Sequence, residues 1–168
     1  MENLPIQVAT EQRPEVPELL VPSAHDVHLL QPLYAGYDGE TTAVLQYIYQ
    51  SYVTRAQNET LGKILERIAI TEMRHHEFLG RSIAMMGGKP EYGANHVCWT
   101  GAAVNYQTDP AVFLKQNIRA EMYAIQAYEY VLPRLENTEL QEGIRIIIED
   151  EKLHILAFEW LLQQSFNE

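Results

Sequence analysis

Two segments of the chain carry the same pair of metal-capable side chains. In Thr71-Glu72-Met73-Arg74-His75-His76-Glu77 the carboxylate of Glu72 and the imidazole of His75 are three residues apart, and Glu151 with His154 repeats the spacing. Residues three apart on a helix are neighbours on one face, so each pair offers an oxygen and a nitrogen donor to a common point. Both pairs interrupt apolar stripes: Leu61, Ile64, Leu65 and Ile68, then Leu79, Ile83 and Met86, around the first; Ile144, Ile147 and Ile148, then Ile155, Phe158 and Leu162, around the second. A buried ionised carboxylate must be neutralised, paired or bound to a cation, because desolvation alone costs several kcal/mol.

The pairs belong to a larger repeat. Glu40 placed on Glu121 aligns Ala43 with Ala124, Val44 with Ile125 and Tyr47 with Tyr128 at an offset of 81, and Glu72 placed on Glu151 aligns the two histidines at an offset of 79. Each half is a helix with one Glu followed by a helix with Glu-x-x-His. Glu121 and Glu151 are centred on the turn at Leu135 to Asn137, and Glu40 and Glu72 on the region of Asn58. In antiparallel hairpins such residues share one height, so Glu40, Glu72, His75, Glu121, Glu151 and His154 are expected in one layer of a bundle core. Four carboxylates carry about four negative charges, which two divalent ions cancel and one ion leaves uncompensated. Without a metal, the same groups would be pairs bridged by hydrogen bonds and water.

The elements that position these groups follow from caps and breakers. Residues 1–32 carry four prolines before a short helix and read as an arm, whose Val16, Leu19, Leu20 and Val21 would dock on the bundle or on a neighbouring subunit. Ser23 followed by Asp26 resembles a capping box, and the short helix it starts is expected to break at Pro32. The first long helix is expected from Leu33 to Arg55, with Leu33, Tyr37, Glu40, Val44, Tyr47 and Ser51 facing inward. Asn58 caps the second, which Gly87-Gly88 ends. No period persists from Lys89 to Thr108, which reads as a crossover. The third helix starts at Asp109-Pro110, with the aspartate or Thr108 as cap, and runs to about Leu132; the fourth follows a capping box at Thr138 and Gln141 and runs to about Gln164. About 20 extended residues reach about 65 Å, more than the roughly 37 Å of a 25-residue helix, so the crossover returns along the bundle and the second and third helices run parallel.

Composition sets the outer bounds. With 168 residues, 46% of them hydrophobic, the chain can bury one sizeable core. The net charge of -11 argues against a nucleic-acid partner. The single cysteine, Cys98, excludes a disulfide framework or a four-cysteine metal site. Neither a basic leader with an apolar run nor a membrane-length apolar segment is present, so a cytoplasmic protein is expected.

The pattern of one Glu on each of two helices and Glu-x-x-His on the other two is that of ferritin-like dimetal bundles. The chain resembles the ferritin-like superfamily over roughly Leu33 to Phe166, on its rubrerythrin and manganese-catalase side. Tyr-Ala-Gly-x-x-Gly-Glu, Glu-Met-x-His-His, the Trp99 to Tyr106 loop and Asp-Glu-x-x-His look like short, largely uncharacterised bacterial ferritin-like proteins. The resemblance implies an all-α fold, a ferritin-like four-helix bundle of two antiparallel hairpins joined by a long crossover (residues 33–168). It also implies two Fe or two Mn ions, peroxide or dioxygen as substrate, an external electron donor for some members, and a homo-oligomer such as a dimer. Glu72 and Glu151 would bridge, with Glu40 and His75 at one end and Glu121 and His154 at the other, the four glutamates carrying the chemistry. Asp150 resembles the aspartate that, in such motifs, reaches the histidine of the opposite half, here His75. Its repeat mate Thr71 would give His154 a weaker acceptor.

Other residues carry less. Tyr47 and Tyr128 would hydrogen-bond ligands or donate electrons, or else serve as core tyrosines. His76 is assigned to the boundary of the site, Cys98 and Trp99 to packing, and His25, His28 and His96 to the surface or an interface. Three functional classes stay open: a di-iron oxidase or peroxidase, a dimanganese catalase, and a metal-binding or structural bundle without catalysis. Against the first stand the absent four-cysteine iron domain and the missing further carboxylate of rubrerythrins. The positions three and four from Glu121 are Asn117, Ile118, Ala124 and Ile125.

Overall fold

Asn58 opens the longest helix, its side-chain oxygen accepting from the Leu61 N–H at 2.9 Å. The structure, a computed structural model, describes residues 4–165; the outermost residues of the expected arm and bundle, 1–3 and 166–168, lie outside them. The described helices are α1 (Ala24–Ala35), α2 (Glu40–Thr54), α3 (Glu59–Met85), α4 (Pro110–Val131) and α5 (Gln141–Ser165). Asp109 caps α4 by accepting from Ala111 N–H, with Pro110 at the first helical position, where its missing N–H costs nothing. Gly87, at φ +87°, ends α3.

Helices α2 to α5 form an all-α four-helix bundle of two hairpins, α2 with α3 and α4 with α5. Tyr47 meets Glu121 while Tyr128 meets Glu40, so α2 and α4 are antiparallel. His75 meets Asp150 while Glu72 meets His154, so α3 and α5 are antiparallel too. Because the short turn between α2 and α3 reverses the chain, α3 and α4 run parallel, as the crossover requires. Two apolar clusters fill the core on either side of the polar layer. One includes Phe78, Leu79, Ile83, Val131 and Ile147; the other includes Ile64, Leu65, Ile68, Phe113 and Phe158.

The expected long helix from Leu33 to Arg55 is two helices. The break foreseen at Pro32 does not occur there: α1 runs through Pro32 to Ala35, and the chain turns at Gly36. The turn is too tight for side chains, since a Cβ on Gly36 would lie 2.4 Å from Pro32 O and one on Gly39 2.6 Å from Leu33 O. The Thr41 and Thr42 hydroxyls donate to the carbonyls of Tyr34 and Tyr37 across it, at 2.9 and 2.7 Å. Tyr37, expected to face inward, therefore sits on the turn with 68% of its surface exposed. Glu40 becomes the first residue of α2, where the helix dipole favours a carboxylate.

The crossover holds a minimal hairpin that its sequence period does not show. β1 (Gly93–Ala94) and β2 (Val97–Cys98) pair antiparallel through Asn95 and His96, both at positive φ, as a two-residue hairpin turn of the primed type requires. Strands of two residues are too short for alternation to register. The expected capping box at Thr138 also fails: one 3-10 turn, Thr138–Leu140, leads into α5. Neighbouring Asn137 instead binds the Val21 main chain and the Asp26 carboxylate, which also accepts from the N–H groups of residues 136 and 137. The arm docks on its own bundle. Val8 and Leu20 are buried and Val16 packs against the core, while Leu19 and Val21 point outward. No helix among the described residues is long and apolar enough to cross a membrane.

Candidate metal centre

All six expected ligands are buried in one layer between the apolar clusters, none more than 4% exposed. At one end His75 Nδ1 lies 3.0 Å from Glu72, 3.4 Å from Glu151 and 3.8 Å from Glu40. At the other, His154 Nδ1 lies 2.8 Å from Glu151, 3.0 Å from Glu72 and 3.6 Å from Glu121. Within each foursome, Glu40, Glu72, His75 and Glu151 or Glu72, Glu121, Glu151 and His154, one donor atom per residue lies within 4.8 Å of all the others. Glu72 and Glu151 belong to both.

The donor set fits two metal ions. Glu40 Oε2 is buried without a hydrogen-bond partner, and Glu72 Oε1 faces His154 Nδ1 without hydrogen-bond geometry, so each keeps a lone pair for a cation. Four carboxylates with one imidazole at each end suit Mn or Fe. The electrostatics describe the competing protons. Burial, reinforced by Glu72, raises Glu40 well above the ordinary carboxylate range. Burial, with Glu151 and Glu72, pushes Glu121 up to about 8. Burial opposes ionisation of Glu72, but His154 and His75 beside it hold it below its usual value. Burial opposes protonation of both imidazoles, yet both are raised well above their usual range: His75 by hydrogen bonds to Asp150 and the glutamates, His154 by the attraction of Glu72 and hydrogen bonds to the glutamates.

The surroundings of the two ends differ. His75 Nε2 lies 3.0 Å from Asp150 Oδ2, the partner expected from the Asp-Glu-x-x-His pattern, which fixes the ring with Nδ1 toward the glutamates. Thr71 does not supply the corresponding acceptor to His154. Its hydroxyl bonds back to Arg67 O at 3.2 Å, as mid-helix hydroxyls commonly do, and His154 Nε2 is left without a partner. Asp150→Ala is expected to weaken retention of the ion on the His75 side by about 10- to 100-fold in chelator competition, leaving the other nearly unchanged.

Tyr47 and Tyr128 bind across the repeat: Tyr47 donates to Glu121 Oε1 and Tyr128 to Glu40 Oε1. Burial, with the neighbouring glutamates, raises both phenols well above their ordinary range, so they remain neutral donors. His76 is outside the layer, its ring 4.4 Å from that of Tyr34. His28 and His96 are exposed, and His25 Nε2 lies 3.1 Å from Arg134 O at the surface. Cys98 is exposed rather than packed. Trp99 does more than pack, because its indole N–H donates to Thr42 Oγ1 at 2.8 Å and ties the crossover to α2.

A cavity of about 360 Å³ reaches Glu40, Glu72, Glu121 and Glu151 from the side of α2, α4 and the crossover. Gln46 lines it and belongs to a buried amide network that no repeat or period in the sequence marks. Gln46 Nε2 donates to Asn117 Oδ1 at 3.1 Å, Asn117 Nδ2 donates to Gln50 Oε1 at 2.7 Å, and Gln46 Oε1 accepts from Asn105 N–H at 2.9 Å. The available signal was Asn117, four residues before Glu121 and so on its face. Where a further carboxylate would stand in the rubrerythrin pattern, it is the centre of a neutral network.

The family model for manganese containing catalase matches residues 12–95, 84 of the 168 residues. The chain belongs to the manganese-containing catalase family. It is 25% identical to a probable manganese catalase of Clostridium acetobutylicum over 83% of this chain and 71% of that protein. It is 24% identical to protein CotJC of Bacillus subtilis over 74% and 76% of the two chains. In fold it is similar to KatB, a manganese catalase from Anabaena, with TM-score 0.80, 23% identity and coverage of 95% of this chain and 81% of that one. It is also similar to the Desulfovibrio desulfuricans bacterioferritin, a di-iron protein, with TM-score 0.68, 26% identity and coverage of 86% and 81%. The expected place on the manganese-catalase side of the ferritin-like superfamily therefore holds. This member of the manganese-catalase family is a dimetal-carboxylate protein whose cofactor is two Mn or two Fe ions.

Proposed function

We propose that the protein disproportionates hydrogen peroxide at a dimanganese centre held by Glu40, Glu72, His75, Glu121, Glu151 and His154. The observation that carries this reading is that Glu72 and Glu151 are shared by two foursomes which together use only these six side chains. Family membership favours manganese and peroxide over the di-iron alternative. Asn117, near where the rubrerythrin pattern adds a carboxylate, supports the same choice, because it is neutral and engaged with Gln46 and Gln50.

When bound, the two ions would supply a two-electron redox couple and Lewis acidity. The side chains do the remaining work. Tyr47 and Tyr128 hold Oε1 of Glu121 and Glu40, which fixes the orientation of the terminal glutamates. The apolar clusters exclude bulk water, and the cavity beside Gln46 leaves room for a substrate as small as peroxide. One peroxide gives up two electrons and two protons to become dioxygen; a second takes up two of each to become two waters. Glu40 and Glu121 line the cavity, so the substrate would reach the centre beside its two terminal ligands. No external electron donor is then needed. Manganese-loaded protein without reductant should release one dioxygen for every two peroxides consumed, read with an oxygen electrode. Peroxide loss that requires a reductant and releases no oxygen would favour a di-iron peroxidase. No turnover with both ions retained would leave a metal-binding role.

A further inference from the structure

Thr10 belongs to the N-terminal arm, yet it reaches the metal layer through one intermediate. Its main-chain N–H donates to Asp150 Oδ1 at 2.6 Å, while the other oxygen of the same carboxylate lies 3.0 Å from His75 Nε2. The arm is anchored beside this contact: Val8, two residues earlier, is buried in the apolar cluster of Ile64, Ile68 and Phe158, with Leu4 and Ile6 packed against it. Thr10 Oγ1 donates to Gln12 O at 2.9 Å and stiffens the segment. A carboxylate held at both oxygens has one orientation. Without the Thr10 N–H, the Asp150 oxygen opposite the imidazole loses its main-chain donor and the carboxylate can rotate away from His75.

We infer that the N-terminal arm is part of the metal centre: through the Thr10 N–H it orients Asp150, and through Asp150 it orients His75, so arm docking and ion retention at the His75 position are coupled. Thr10 is a positioning residue that acts chiefly by its main chain. The coupling is confined to one end, because His154 Nε2 has no such partner and Thr71 is turned to Arg67. Thermodynamic linkage makes it reciprocal: whatever the arm adds to ion affinity, the ion adds to arm docking. The inference rests on the reading that these six residues hold two ions, and is independent of the reaction they perform.

The test uses the full chain loaded with manganese and challenged with a graded series of chelator. Thr10→Pro, which removes the N–H, should release one of the two ions at about 10-fold lower chelator strength than the unmutated protein, the lower end of the effect of losing a ligand-orienting partner. The second ion should be held as before, and Thr10→Ala, which keeps the N–H and loses only the hydroxyl beside Asp150, should lie closer to the unmutated protein than to Thr10→Pro. In the unmutated chain itself, the Thr10 amide should exchange with solvent about 10-fold more slowly with ions than without. Retention of both ions by Thr10→Pro, parallel loss of both, or a Thr10 exchange rate indifferent to metal would overturn the inference. Failure of the unmutated protein to bind two ions would remove the metal-site reading along with it.

Discussion

Glu72→Ala is expected to strip both ions from the centre and abolish peroxide turnover. Glu72 belongs to both foursomes, so its loss removes a donor from each position, whereas loss of Glu40 or Glu121 removes one from a single end. If four donors share roughly 10–16 kcal/mol of binding, one donor is worth a factor on the order of 10² to 10³ per ion. The metal-free protein should suffer as well. There the Glu72 carboxylate, held in its ionised form, sits between His75 and His154, both of which favour the protonated form. Removing the anion leaves two buried imidazoles with Asp150 and Glu151 as their remaining close carboxylates, at a cost of up to about 3–5 kcal/mol, or up to about 6 to 20 °C in Tm for a chain of this size. Metal analysis after gel filtration and a thermal melt of the metal-free variant check the two parts. Two retained ions, or an unchanged melt, would count against the shared position of Glu72.

Ion affinity should rise steeply with pH between 6 and 8. In the metal-free centre Glu40 and His75 at one end, and Glu121 and His154 at the other, are shifted toward their protonated forms, with Glu121 titrating at about 8. A ligand must shed its proton before its lone pair can bind a cation, so each ion displaces up to two protons. A group with a raised folded pKa keeps its proton below that value, so affinity falls as pH is lowered and recovers as pH rises through the value. The slope is about 10-fold per pH unit for each proton released, hence about 10- to 100-fold per ion. Titration against a pH-corrected chelator, or proton release measured in two buffers, gives this slope directly. An affinity flat across the range would mean that the ligands are already deprotonated.

The buried Glu and His layer was legible in the sequence because it breaks a pattern. Carboxylates standing in apolar stripes, twice and in register, have few physical explanations, and the repeat of Glu40 and Tyr47 on Glu121 and Tyr128 brought in the other two helices. The parallel course of α3 and α4 followed from the length of the crossover alone. Local geometry was less legible. Pro32 was read as a break, yet α1 tolerates it, and the true turn is at Gly36 and Gly39, where only glycine fits beneath the carbonyls of Pro32 and Leu33. The hairpin at Gly93 to Cys98 is too short for periodicity to mark. The asymmetry of the centre was only half visible: Asp150 was identified from its motif, but the donation from Thr10 joins residues 140 apart in the chain, and no local pattern encodes it. Thr71 was expected to serve His154, but a mid-helix hydroxyl has a nearer acceptor in the carbonyl four residues back.

The most direct test of the account is a crystal structure of the manganese-loaded protein with anomalous diffraction measured at the manganese edge. Two peaks are expected in one layer, one among Glu40, Glu72, His75 and Glu151 and the other among Glu72, Glu121, Glu151 and His154. A single peak, or peaks away from these six side chains, would contradict it.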